Sequence, residues 1–275
     1  MLIGVLSVPP TEEQLQSGEA KNWFGSPSIA LPRRQESASF AASLTMFPSH
    51  KRRIVRGLIE GFRILVPTAA MISFSVLFIA LVHDLIWDEN HWKIICLFPL
   101  YYLTFVGFPA FLITILFKWL LVGKYKSCQV PMWTWKVWRS EAVTAIYESL
   151  AAPFFLEYLK GTPWLSLALR LFGVKTGKRV WMNTADITEF DMVEIGDDSA
   201  LNDDCGPQTH LFEDRVMKMG SVKIGKRCTV GTRTVVLYDS VIEDDVNIGS
   251  LSLVMKGENL PPKTQWEGSP VKPVS

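Results

Sequence analysis

Stepping by six from Ile224 lands on Val230, Val236, Ile242, Ile248 and Val254 without a miss. A helix repeats near 3.6 residues and a strand near 2, so a period of six belongs to neither; it belongs to short strands stacked as the coils of a parallel β-helix. Gly225, Gly231 and Gly249 directly follow three of the six aliphatic positions, and Ile195-Gly196 and Leu201 start the same spacing earlier. In such a coil the chain turns a corner every six residues and the aliphatic residue points into a narrow core. Gly, Asp and Asn are expected to relieve the corners. The intervening polar residues face water, which is how IEDDVNIGS can be a core element and rich in acids.

The ladder occupies only the last part of a chain that is 48% hydrophobic, with ten Trp and sixteen Phe. The apolar excess lies between about residues 62 and 172. Ile64 to Val82 reads ILVPTAAMISFSVLFIALV, and Ile94 to Phe117 reads IICLFPLYYLTFVGFPAFLITILF, both without a charge. A run of about 20 apolar residues is long enough to cross a bilayer as a helix; the competing reading is a pair of buried core helices. Between the runs lies the acidic turn HDLIWDENHWK, while Lys51, Arg52, Arg53, Arg56 and Arg63 flank one outer end and Lys118, Lys124 and Lys126 the other. The positive-inside rule then places both termini and the β-helix in the cytoplasm and the turn outside. The stretch MWTWKVWRSEA, with Trp133, Trp135 and Trp138, reads as chain at headgroup level, or as an aromatic cluster under a soluble domain. Residues 142–172, broken by Glu148, Glu157 and Lys160, read as two membrane-associated or re-entrant helices.

The net charge of +1 argues against general nucleic-acid binding. Cys96, Cys128, Cys205 and Cys228 show no metal-ligand spacing and no disulfide framework, so no metal site is expected and a reducing compartment fits. The apolar stretch after Met1 is short and lacks a basic flank, which makes a poor signal peptide.

The ladder resembles the hexapeptide-repeat acyltransferases, whose fold is a left-handed parallel β-helix; the resemblance covers about residues 174–273, including their closing segment, Gly268-Ser269-Pro270 followed by Val271-Lys272. The same exit occurs near the start: WFGSP at 23–27 and WEGSP at 266–270 each follow a Pro-Pro pair, Pro9-Pro10 and Pro261-Pro262. Residues 1–35 are therefore expected to be the exit of a β-helix whose body lies upstream. Residues 36–60 follow as a basic linker, 61–127 as a two-helix transmembrane hairpin, 128–173 as Trp-rich membrane-associated helices and 174–275 as the β-helix. This alternation, with FGSPSIALPRRQ, LKGTPWLSLALRLFGVKTGKRV and NTADITEFDMVEIGDDSALN, resembles the carboxy-terminal region of nonribosomal-peptide-synthetase-like membrane proteins of the ε-poly-lysine-synthetase type. That resemblance implies adenylation and carrier domains upstream or in trans, membrane lipid as a partner, homo-oligomers among the assemblies allowed, and an integral, multi-pass location.

Between Leu201 and Ile224 the ladder loses register across NDDCGPQTHLFEDRVMKMGSVK, an insertion of the kind that carries function in repeat folds. The resemblance makes His210 of its Thr-His pair the catalytic base, taking a proton from an amine or hydroxyl as it attacks a thioester carbonyl. Imidazole is the side chain whose unperturbed pKa suits that task; the bland alternative is a histidine that caps a loop. Asn202 is a candidate to orient the acceptor, or a corner residue. Glu213 and Asp214 are candidates to hold His210 in one tautomer or to grip an amine, or are simply solvated. The donor is an acyl or aminoacyl thioester, of coenzyme A or of a carrier's phosphopantetheine, with no permanently bound cofactor. The alternative to catalysis is a β-helix scaffold that anchors a synthetase at the membrane.

Overall fold

The period of six becomes a prism of three parallel sheets. The computed structural model describes residues 2–3, 8–16, 22–24, 28–30, 38–86, 96, 98–100 and 102–274. On one face Lys175–Thr176, Val193–Ile195, Val222–Ile224, Ser240–Ile242 and Asn259–Leu260 stack in parallel. A second face stacks Trp181–Met182, Ala200–Leu201, Thr229–Val230, Asn247–Ile248 and Gln265–Glu267, and a third stacks Gly206–Gln208, Val235–Leu237 and Leu253–Val254. Ile195, Ile224, Ile242 and Leu260 lie in register, as do Leu201, Val230, Ile248 and Trp266. From Ile224 to Ile242 to Leu260 a coil is eighteen residues, three steps of six. All six ladder residues from Ile224 to Val254 are at most 3% exposed.

The glycines and the corners have separate causes. A Cβ on Gly225 would lie 2.7 Å from the Glu243 carbonyl carbon, and one on Gly231 would lie 2.5 Å from Ser250 N, so coil-to-coil approach excludes a side chain there. The corners instead use left-handed residues that carry side chains: Arg179, Asp198, Arg227, Asp245 and Lys263 along one edge. Arg179 Nε donates to Asp198 at 2.6 Å and Arg227 Nε to Asp245 at 2.6 Å, so charge pairing between coils offsets part of the cost of positive φ. Asp fits the corner expectation; Arg does not, and the pairing explains Arg179 and Arg227.

The chain leaves the stack later than the loss of register suggests. Asn202 and Gly206–Gln208 remain in the coils, with Pro207 opposite Val236. The excursion is a hairpin of β2 (His210–Glu213) and β3 (Val216–Met219), turning through Asp214 and Arg215 at positive φ. Its strand β3 also pairs with β1 (Cys128–Pro131), so the insertion is a three-stranded antiparallel sheet and not an open loop.

Helix α1 (His50–Ile86) is continuous for 37 residues and already includes Lys51 to Arg56, so the second half of the expected linker is helical. Pro67 lies inside it, and Thr68 Oγ1 donates to the Ile64 carbonyl at 2.9 Å. Helix α2 (Phe108–Leu121) follows a π-helical turn, Leu103–Gly107. The stretches Ala42–Ala80 and Phe98–Leu121 are each long and apolar enough to cross a membrane. Only 11% and 29% of their apolar windows are covered by the rest of the chain, whereas a core helix would be mostly buried. Leu58, Ile64 and Leu65 of α1 are all more than half exposed. Residues 87–93 of the expected outer turn, and Gly25 to Pro27 of the first WFGSP, lie outside the described residues.

Helices α3 (Trp135–Ile146) and α4 (Pro163–Phe172) differ most from expectation. Pro163 sits at the start of α4 and Gly173, at φ +116°, ends it. Its Leu165, Leu169 and Phe172 are fully buried in the same core as the ladder, with Phe172 and Phe190 rings 4.7 Å apart. Tyr147 Oη donates to the Ala185 carbonyl at 2.6 Å. Residues 135–172 therefore pack on the first coil of the β-helix. The expectation did not include this packing; α4 at the same time keeps Trp164, Leu167 and Leu171 outward and exposed. The last turn of α2 is tied to the same coil by the buried Lys118, whose Nζ lies 2.8 Å from Asp191 Oδ2.

The two WxGSP segments share a strand topology. Leu2–Ile3 runs parallel to Asn22–Phe24, which runs antiparallel to Ile29–Ala30, with Trp23 opposite Ile3 and Ala30. Near the other end Trp266 lies opposite Ile248, in parallel, and Pro273, in antiparallel.

Candidate active site

The site is built where the hairpin leaves the stack, between the first coil and α3. Glu189 ends the third face of that coil at φ +35°, just before the short helical turn Phe190–Met192. Its side chain is wholly buried, and an unpartnered carboxylate there would cost several kcal/mol. Four donors surround it. Ser140 Oγ of α3 lies 3.2 Å from Oε1, and Thr188 Oγ1, Thr209 Oγ1 and His210 Nδ1 lie 2.9, 2.6 and 2.8 Å from Oε2. Burial pushes the Glu189 carboxyl up, but the hydrogen bonds from His210, Thr209 and Thr188 outweigh it and hold the group below its ordinary value.

His210 opens β2, and its side chain is 16% exposed. Burial opposes a charge on the ring, yet the bond to Glu189 and the nearby Glu141 and Glu148 raise its pKa above the ordinary imidazole value. The ring lines a cavity of about 140 Å³ together with Arg63, Ser140, Glu141, Thr144 and Glu148. With Nδ1 engaged by Glu189, Nε2 is the nitrogen left to exchange a proton with a molecule in that cavity. Arg63 and Arg56 of α1 both pair with Glu141, so the base of the first long helix forms one wall.

Glu148 also lines an adjoining cavity of about 190 Å³ with Glu157, Lys160, Asp186 and Asp204. Burial raises the carboxyl pKa of both Glu148 and Asp186; for Glu148 the neighbouring Asp186 adds to it, and for Asp186 the neighbouring Asp204 does. The two cavities meet at Glu148, and together this groove has more carboxylates than basic groups along its walls.

Of the residues singled out in the sequence, only His210 is in this groove. Asn202 Nδ2 donates to the Val230 carbonyl at 2.8 Å, bridging one coil to the next. Glu213 lies 2.8 Å from Lys218 Nζ and 2.5 Å from Lys256 Nζ, and Asp214 forms the hairpin turn. The carboxylate on His210 is Glu189, which the sequence reading did not single out. Its place follows from the structure: Thr176 pairs with Ile195 and Met182 with Leu201, a first coil of nineteen residues, and nineteen before Gln208 is Glu189.

No family model matches the chain. It is 46% identical over 273 residues to Delta-poly-L-ornithine synthetase of Acinetobacter baumannii (strain AB307-0294), covering 99% of this chain and 20% of that protein. The chain thus spans about a fifth of the length of the curated relative it matches. Among solved structures it is similar to a maltose O-acetyltransferase from Clostridium difficile 630, with 16% identity, TM-score 0.32 and coverage of 40% of this chain and 73% of that one. A hexapeptide-repeat containing-acetyltransferase, VCA0836 from Vibrio cholerae, gives 16% identity and TM-score 0.34, over 41% and 78% of the two chains. Galactoside acetyltransferase in complex with coenzyme A gives 16% and 0.34, over 44% and 76%.

Proposed function

We propose that the chain is the acyl-transfer portion of a membrane-bound synthetase, in which His210 is the general base that passes an acyl or aminoacyl group from a thioester to an amine. The observation that carries this reading is the Glu189 to His210 Nδ1 contact at 2.8 Å, with the carboxylate wholly buried and the ring at the wall of a cavity. A carboxylate on Nδ1 selects the tautomer whose Nε2 lone pair can accept a proton, and it stabilises the imidazolium that results. A loop-capping histidine requires neither the buried partner nor the cavity.

The step balances within the site. The acceptor nitrogen attacks the thioester carbonyl carbon, and its N–H becomes acidic as the C–N bond forms. His210 Nε2 takes that proton, the tetrahedral intermediate collapses with loss of the C–S bond, and the imidazolium returns the proton to the departing thiolate. The donor is a thioester of coenzyme A or of a carrier-bound phosphopantetheine. An amine acceptor is favoured over a hydroxyl because Glu148 and Asp186 line the two cavities beside the ion-paired Glu141, Glu157 and Asp204, and suit an ammonium group elsewhere on the same molecule. The relative's name specifies a polymer of ornithine, a diamine amino acid, and that chemistry fits this groove. Asn202, Glu213 and Asp214, kept as acceptor-binding candidates, line neither cavity.

In this reading the uncharged part of α1 that follows Arg63, and Phe98–Leu121, span the bilayer, with Arg56 and Arg63 at the cytoplasmic level beside the site. The chain acts together with adenylation and carrier domains that load the thioester. The test is product formation by the complete synthetase carrying Glu189→Gln. A drop of about 10² to 10⁴-fold is expected if Glu189 sets the base, and unchanged turnover overturns the assignment.

A further inference from the structure

We propose that the pocket between the end of α2 and the start of α3 binds the phosphate of an anionic phospholipid, with one acyl chain of that lipid in the apolar cavity beside it. The pocket, about 90 Å³, is lined by Lys124, Lys126, Lys136 and Arg139, and by Tyr125, Val122, Ser140 and Met219; none of its lining residues is acidic. Arg139 Nε is buried and finds no hydrogen-bond partner among the described residues. The Tyr125 hydroxyl, on a ring only 7% exposed, faces Ser140 on the same wall. Lys136 is exposed, and among the described residues its Nζ meets the weak acceptor Cys128 Sγ, at 3.1 Å. Buried donors without acceptors are costly, and phosphate oxygens supply what they lack.

Arg139 also lines a second cavity, of about 300 Å³, whose walls are Phe62, Val66, Phe117, Leu121 and Trp138. A single guanidinium therefore stands at the junction of a cationic pocket and an apolar one, which matches a molecule with an anionic head and a hydrocarbon tail. The junction is placed where such a molecule would be. Leu121 ends the second long apolar helix, and Leu58 and Phe62 at the mouth of the cavity are exposed on the uncovered face of α1. Basic pockets between membrane helices bind anionic headgroups by the same physics. Ser140 lines both this pocket and the His210 cavity, so α3 carries lipid on one side and the candidate base on the other. The proposal rests on the membrane reading and is independent of the chemistry at His210.

The test uses the full chain, purified in detergent and delipidated, with dioleoylphosphatidylglycerol and dioleoylphosphatidylcholine as probes in native mass spectrometry. Each basic residue near a bilayer surface strengthens anionic-lipid binding about fivefold, so phosphatidylglycerol should bind at least about tenfold tighter than phosphatidylcholine. Arg139→Gln should remove about fivefold, and Lys124→Gln combined with Lys126→Gln, both exposed and tolerant of change, should remove about 25-fold and serves as the test if Arg139→Gln folds poorly. Ala142→Phe keeps every charge and fills the apolar cavity, so it should weaken both lipids. Equal affinity for the two lipids overturns the proposal. So does phosphatidylglycerol binding that survives Ala142→Phe and is displaced by coenzyme A, since the pocket would then serve a soluble phosphate.

Discussion

Replacing Ile242 with Asp tests the register on which the whole site depends. Ile242 is 1% exposed and lies between Ile224 and Leu260 in successive coils, in a core one side chain wide. Losing the aliphatic contacts costs about 2–5 kcal/mol on the scale of buried Ile truncations. An unpaired carboxylate adds several kcal/mol more, or takes up a proton to avoid it. The sum, at least about 5 kcal/mol, rivals the whole stability of an ordinary domain. Thermal melting in detergent, followed by tryptophan emission, should show the β-helix transition lost or lowered by tens of degrees, with partial recovery at acid pH where the carboxyl is neutral. Ile242→Val should cost only about 0.5–1.5 kcal/mol, and Glu243→Ala, at a half-exposed position of the same coil, less than about 0.5. If Ile242→Asp and Glu243→Ala melt together, the stacking is wrong and His210 does not lie where it is placed here.

Glu189→Gln should also lower the His210 pKa, because the charge that raises it is gone, so the acid limb of the residual activity should move to lower pH; a limb that stays or moves up contradicts the pairing. Stability and activity should depend on pH in opposite senses. The raised His210 and lowered Glu189 values stabilise the fold between the carboxylate range and the raised imidazole value, and the His210 share is lost as pH rises through that value while activity grows. Melting temperature that rises with pH across that limb would contradict this. Lys118→Met, which strands Asp191 in a largely buried position, should destabilise the chain by about 3–5 kcal/mol, and a cost below 1 kcal/mol would show that α2 is not anchored there. In intact cells a cysteine placed at Asp88 should be labelled from outside and one at Gly257 should not; the reverse result removes the proposed topology.

The β-helix was legible because its core admits one aliphatic residue per face, which forces a period visible in a single sequence. The packing of α3 and α4 was not, because an apolar helix covering the end of a β-helix and one lying on a membrane have the same composition. Leu165 and Leu169 face the core while Leu167 and Leu171 face out, and no polar stripe separates the two fates. At the site, His210 was legible from the break in register and its Thr-His pair. Glu189 was not, since its contact with His210 depends on how many residues the first coil contains and on αL geometry at a non-glycine position. Glu213 and Asp214 were attractive by proximity in sequence, but β2 carries its side chains to alternate sides and Glu213 meets Lys218 and Lys256.

The most direct measurement of the central claim is the rate of product formation by the complete synthetase carrying His210→Asn, with melting temperature and membrane insertion recorded on the same preparation. Asn retains a hydrogen-bonding group of similar reach toward Glu189 but accepts no proton. The account predicts a loss of about 10² to 10⁴-fold in rate with melting within a few degrees of the parent. Near-normal turnover in the Asn variant would contradict it and leave this β-helix as a scaffold for chemistry done elsewhere.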